Sequence, residues 1–126
     1  MRTLRTIAAC GTACLALGGL GLASATAATK TQTVKVAANP SGKLAFVQKT
    51  LTAKAGKVTF KFTNMSSLPH SFSLETQGTE KDVGKTPVIT GKTASLTVTL
   101  KKGKYKYYCT VPGHEAAGMT GVLTVR

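Results

Sequence analysis

Histidine is nearly absent from this 126-residue sequence: His70 and His114 are the only two. They leave room for one imidazole-built centre and not for a second. Acidic residues are almost as rare. Glu75, Glu80, Asp82 and Glu115 face 17 basic residues, for a net charge of +13. Such a surface meets acidic partners quickly through long-range steering. It also invites nucleic acid, but aromatic side chains are few and the lysines are scattered along the chain, so no nucleic-acid binding is expected. Cysteine occurs three times, at Cys10, Cys14 and Cys109. From about residue 31 onward no helical period is sustained, and no repeat or low-complexity tract occurs.

The N-terminus reads as a secretory leader. Arg2 and Arg5 precede an apolar, small-residue stretch from about Ile7 to Leu22, and Ala23-Ser24-Ala25 and Ala25-Thr26-Ala27 fit the cleavage pattern. The stretch is shorter than the run of about 20 residues that a spanning helix needs. Export with removal of residues 1–27 is expected; an uncleaved anchor is the competing reading. The expected location is periplasmic, cell-surface or extracellular. Without Arg2 and Arg5, fifteen basic residues face the four acidic ones, near +11. Cys10 and Cys14 leave with the leader. Cys109 is then the only thiol, no intrachain disulfide can form, and a metal bond would protect it from oxidation.

Residues 28–126 are one small domain by length. Short alternating runs separated by Gly, Pro and Asn predict an all-β sandwich or barrel. Thr33–Val36 alternates, and Asn39-Pro40-Ser41-Gly42 is a turn. Lys43–Thr50 and Leu51–Ala55 read as one or two strands. The clearest strand is Lys57–Thr63, with Val58, Phe60 and Phe62 on one face. His70–Leu74 reads as a strand, and Thr76–Gly91 as a long connection with a short helix or irregular segment. Thr93–Leu100, Tyr105–Cys109 and Thr120–Val125 complete the set, with a tight turn at Lys101–Lys104. Parity puts Tyr105, Tyr107 and Cys109 on the inner face, and His70 with Phe72 and Leu74.

The densest chemistry lies in residues 107–119. Cys109, His114 and Met119 follow one another as Cys-x4-His-x4-Met, and His70 lies upstream in Leu-Pro-His-Ser-Phe. A thiolate stabilises Cu(I), imidazole binds both oxidation states, and a weak axial thioether tunes the potential; this is the donor set of a blue copper site. Pro112 and Gly113 suit a short stiff loop. Taken singly, a buried cysteine is usually a small hydrophobe and a methionine a gap-filler; the conjunction carries the reading. Met65 reads as loop packing near the metal end, and Glu115 as solvent-facing.

Tyr107-Tyr108-Cys109-Thr110-Val111-Pro112-Gly113-His114, through Met119-Thr120-Gly121, resembles the C-terminal copper loop of cupredoxins, the family of plastocyanin, azurin and auracyanin. Leu68-Pro69-His70-Ser71-Phe72 resembles the segment carrying their first histidine. The resemblance implies a Greek-key sandwich of seven or eight strands. It implies one copper held by His70, Cys109 and His114 as strong ligands and Met119 as the weak axial one. Many members have Asn after the first histidine, tying the two ligand loops together. Ser71 stands there in this chain, and a looser tie is expected.

The function expected is one-electron carriage between redox partners with acidic docking surfaces, by a monomer that could also associate with the outer face of a membrane. Copper storage or delivery is the alternative. Four ligands leave no open position for a substrate, so no enzyme activity is expected.

Overall fold

Alternation between apolar and polar side chains decides where the strands lie and which face turns inward. The computed structural model describes residues 30–126. The leader expected at 1–27, with Cys10 and Cys14, lies outside the described residues. Eight strands form: β1 Gln32–Ala37, β2 Thr50–Ala53, β3 Gly56–Asn64, β4 Ser73–Thr76, β5 Asp82–Lys85, β6 Lys92–Leu100, β7 Gly103–Tyr108 and β8 Thr120–Val125. They make a three-stranded sheet, β1-β3-β6, and a five-stranded sheet, β2-β8-β7-β4-β5. β1 runs parallel to β3 and β2 parallel to β8; the other neighbours are antiparallel. This is the all-β sandwich expected.

β3 follows the strict alternation: Val58, Phe60 and Phe62 are fully buried, while Lys57 and Lys61 are exposed. Fully burying a side chain of this size contributes about 1.5–3 kcal/mol. Opposite them, the inner face of the larger sheet supplies Leu74, Tyr107 and Leu123, joined by Phe72 from just before β4, all fully buried. Phe46, Phe60, Phe62, Phe72 and Tyr107 interlock with ring centroids 5.1–6.3 Å apart. The Tyr107 hydroxyl donates to the Gln48 carbonyl at 2.7 Å, which satisfies its polar tip.

Three segments differ from the sequence reading. Residues 43–49 form no strand. Phe46 drops into the core, and only an isolated bridge joins it to Ala38. The strand expected at His70–Leu74 starts at Ser73, because His70 pairs alone with Ile89. The connection expected at Thr76–Gly91 contains β5, an edge strand that pairs with β4 across a bulge at Leu74/Glu75. β5 carries Asp82, Val83, Gly84 and Lys85, a composition with little strand propensity, and pairing with β4 overrides it. No helix forms among the described residues.

Candidate metal centre

The strand directions bring the ends of β3 and β7 and the starts of β4 and β8 to one end of the sandwich. The loop before β4 carries His70. It is braced by Asn64, the last residue of β3, which is fully buried. Its side-chain amide donates to the carbonyls of Leu68 at 2.8 Å and Ile89 at 2.6 Å. Its carbonyl oxygen accepts from the backbone N–H and hydroxyl of Ser66 at 3.0 and 2.8 Å. The His70–Ile89 backbone pair adds bonds of 3.1 and 2.8 Å. One side chain therefore fixes the loop from both sides.

Cys109 follows β7 and keeps its inward parity, 1% exposed. Beyond it the chain closes a tight loop. The His114 N–H donates to the Val111 carbonyl at 3.0 Å, and the Met119 N–H to the His114 carbonyl at 3.0 Å. The Cys109 N–H donates to the Met119 carbonyl at 3.2 Å. Gly113 and Gly118 take φ of 82° and 105°, which side chains other than glycine rarely tolerate. Met119, fully buried, is thus clasped by backbone bonds to both Cys109 and His114.

Three donor atoms converge there. The Nδ1 atoms of His70 and His114 lie 3.2 Å apart. The Cys109 Sγ lies 3.9 Å from the first and 3.6 Å from the second. A first-row ion bonded at about 2.0–2.1 Å to nitrogen and about 2.3 Å to sulfur reaches all three from among them. His70 is fully buried and His114 partly so. Burial, and then the nearness of His114, holds the His70 pKa below its ordinary 6.5. The ring is therefore kept neutral, as a metal ligand must be.

The two ligand loops are tied through Ser71. Its hydroxyl accepts from the Thr110 N–H at 2.9 Å and shares a 2.6 Å hydrogen bond with the Thr110 hydroxyl. Its own N–H donates to the Cys109 Sγ at 3.4 Å. The shorter side chain does not leave the loops untied, because Thr110 reaches back to meet it. Glu115 is exposed as expected, yet its carboxylate lies 2.7 Å from the Lys106 ammonium. Met65, expected to pack in its loop, is instead 65% exposed.

The sequence carries the model of the copper-binding plastocyanin/azurin family over residues 32–126. The chain belongs to that family. It is 36% identical over 112 residues to the chloroplastic plastocyanin of Chlamydomonas reinhardtii, covering 83% of this chain and 74% of that protein. Auracyanin A, a blue copper protein from Chloroflexus aurantiacus, superposes with a TM-score of 0.70 at 27% identity, over 77% of this chain and all of the other. Reduced rusticyanin gives a TM-score of 0.66 at 28% identity, over 77% and 80% of the two chains. Copper is thus the cofactor, and electron carriage by blue copper is the family's general function. His70, Cys109, His114 and Met119 make up the donor set of a type 1 site. Sequence reasoning missed Asn64 and Thr110 as supports of this site. Asn64-Met65-Ser66 is a local side-chain-to-backbone turn signal that pointed to the first.

Proposed function

We propose that this protein carries single electrons between redox partners after export and removal of residues 1–27. His70, Cys109 and His114 act as the strong ligands of one copper and Met119 as the weak one. When bound, copper supplies the Cu(II)/Cu(I) couple. The observation that carries the reading is the convergence of two imidazole nitrogens and one thiol within 3.2–3.9 Å at a buried point. The clasped loop resists rearrangement of the donors between oxidation states, and burial keeps water out.

His114 is the more exposed of the two imidazoles and gives the electron its way out. Pro112, Ala116 and Ala117 around it are exposed, and Met65, Leu68 and Val88 extend the apolar surface at this end. Short-lived redox encounters use small contacts of this kind, below about 1,200 Å². Four donors leave no open position for a substrate, which argues against an enzyme.

The test is to load the protein with Cu(II). An intense thiolate-to-metal band in the red and a reversible one-electron titration are expected, and Cys109→Ser abolishes the band. An unchanged visible spectrum in that variant would refute the assignment. Ready loss of Cu(I) to a competing apo-protein would favour copper delivery instead.

A further inference from the structure

The lysines are spread along the sequence but not over the surface. The end of the sandwich opposite His70, Cys109 and His114 gathers four chain segments. These are Lys30 before β1, the β2–β3 turn with Lys54 and Lys57, the β6–β7 hairpin with Lys101, Lys102 and Lys104, and Arg126 after β8. All seven are exposed. The Lys54 N–H donates to the Gln32 side-chain oxygen at 2.8 Å. Backbone bonds of 2.8 and 3.0 Å join Ala55 and Ala53 to Arg126. The pairings Gly56↔Leu100 and Gly103↔Val125 set the hairpin beside them. Lys30, Lys54 and Lys57 rim an open concavity of about 420 Å³.

Acids offset only part of this charge. Glu75 and Glu115 are both held by Lys106, at 2.6 and 2.7 Å. The β4–β5 turn lies at this same pole, where the Gln77 N–H donates to the Lys104 carbonyl at 3.1 Å. Its exposed Glu80 and Asp82 flank Lys81, so that with the terminal carboxylate three negative charges face eight cations and leave a net charge of about +5. Among the described residues, none of the seven cations is in an ion pair. Protection of sheet edges does not account for them, since Lys57 and Lys104 lie in the interior strands β3 and β7 and the other five in turns and at chain ends, none along an edge strand.

We propose that this pole docks on anionic phospholipid headgroups, holding the His70–Cys109–His114 end away from the bilayer. A cluster of four to eight Lys and Arg residues is what such a surface attracts. A protein partner fits less well. The large exposed hydrophobic residues Val47, Met65, Leu68 and Val88 all lie elsewhere, leaving no apolar anchor of the kind protein interfaces need. The nine residues of β3 run between the two ends. At about 3.3 Å per residue they hold the site roughly 30 Å from the lipid, well beyond the Debye length of about 8 Å in physiological salt. The donor cluster therefore stays open to soluble partners and outside the bilayer's field.

The test uses the exported protein as the cell leaves it. It is sedimented with vesicles of phosphatidylcholine alone or with about one third phosphatidylglycerol, with and without copper. The readout is the ratio of the two partition coefficients, which a retained apolar anchor leaves unchanged because it enters both vesicles alike. A strong preference for the anionic vesicles, fading as salt rises, is expected. Lys54→Glu/Lys57→Glu/Lys102→Glu should lower the ratio by ~100-fold or more, each lysine contributing roughly fivefold. Lys43→Glu/Lys61→Glu/Lys92→Glu makes the same change in net charge away from the pole and should lower it by less than about tenfold. Equal losses in the two variants would mean that net charge binds the vesicle, and the pole would not. No preference for anionic vesicles would overturn the proposal and leave this pole to a soluble acidic partner. The binding does not depend on copper, so its failure is distinct from failure of the metal assignment.

Discussion

The two ends of the sandwich are ordered by different means. At the metal end, Asn64, Ser71, Cys109, His114 and Met119 are locked by side-chain and backbone hydrogen bonds, most of them buried. At the opposite end the cations sit in turns, at chain ends and at strand starts, positioned by strand register and a few bonds to their backbone, and their side chains are exposed to solvent. Electron carriage explains the first arrangement, since donors that stay fixed need not reorganise. The second needs only charge density, which survives local motion. Substitutions of one kind should therefore have unequal effects at the two ends.

Glycine gives the largest contrast. A Cβ at Gly121, in β8, would overlap the Tyr107 ring, whereas one at Gly103, in the far hairpin, would meet nothing. Tyr107 is fully buried and hydrogen-bonded, so it cannot swing aside without emptying its place in the core. Gly121→Ala should cost about 3 kcal/mol through overpacking. Gly103, at φ 150°, should cost only about 1 kcal/mol as alanine, from backbone strain. Urea unfolding of the two apo-proteins measures both. Equal midpoints would mean that the Tyr107 wall yields, and the metal end would not be the stiffer one.

Ser71→Ala comes next. It leaves the Thr110 N–H without its acceptor inside a partly buried tie. The expected loss is about 2 kcal/mol of apo stability. Copper should also leave faster, because the two ligand loops then move independently. Unchanged stability together with unchanged copper release would show that the tie is redundant.

Much of the metal end was legible in the sequence. Cys109, His114 and Met119 are close in the chain, and the parity of Tyr105, Tyr107 and Cys109 puts the thiol inside without knowledge of the fold. The tie between Ser71 and Thr110 was not legible, because 39 residues separate the partners and only the pairing of β4 with β7 brings them together. β5 was missed for a related reason: a polar edge strand carries no inward stripe. The basic pole was invisible as well. Lysines between positions 30 and 104 look scattered until register folds their turns to one end.

A smaller effect should follow pH. The folded His70 has a pKa below 6.5 because it is buried beside His114. Above 6.5 the ring is neutral in both folded and unfolded chains and contributes no pH dependence. Below 6.5 the unfolded chain takes up a proton that the folded one resists. Apo stability should therefore fall as pH drops from 6.5 toward the folded value, with a slope of at most about 1.4 kcal/mol per pH unit. Bound copper should remove this slope, since it occupies the donor cluster. An apo-protein equally stable at pH 5 and pH 7 would contradict the burial argument.

The smallest contrast lies between two lysines. Lys106 carries both Glu75 and Glu115, and these partners hold its pKa well above the ordinary lysine range, through the bond to Glu115 first and then that to Glu75. The Glu75 side chain is only 10% exposed, so losing the ammonium strands a carboxylate in a nearly dry place. The bond to Glu115 also pins the residue next to His114 to β7. Lys106→Met should cost about 1 kcal/mol, a modest figure because the ammonium itself still meets water. It should also loosen the copper loop, visible as faster hydrogen exchange at the His114 and Met119 amides. Lys102→Met, on the far hairpin, removes an ammonium with no bonding partner among the described residues, and surface changes of that kind stay within about 0.5 kcal/mol. Exchange at His114 and Met119 should not respond to it. If both variants leave those amides equally protected, the Glu115–Lys106 contact is ornamental, and the loop's stiffness belongs to its backbone bonds alone.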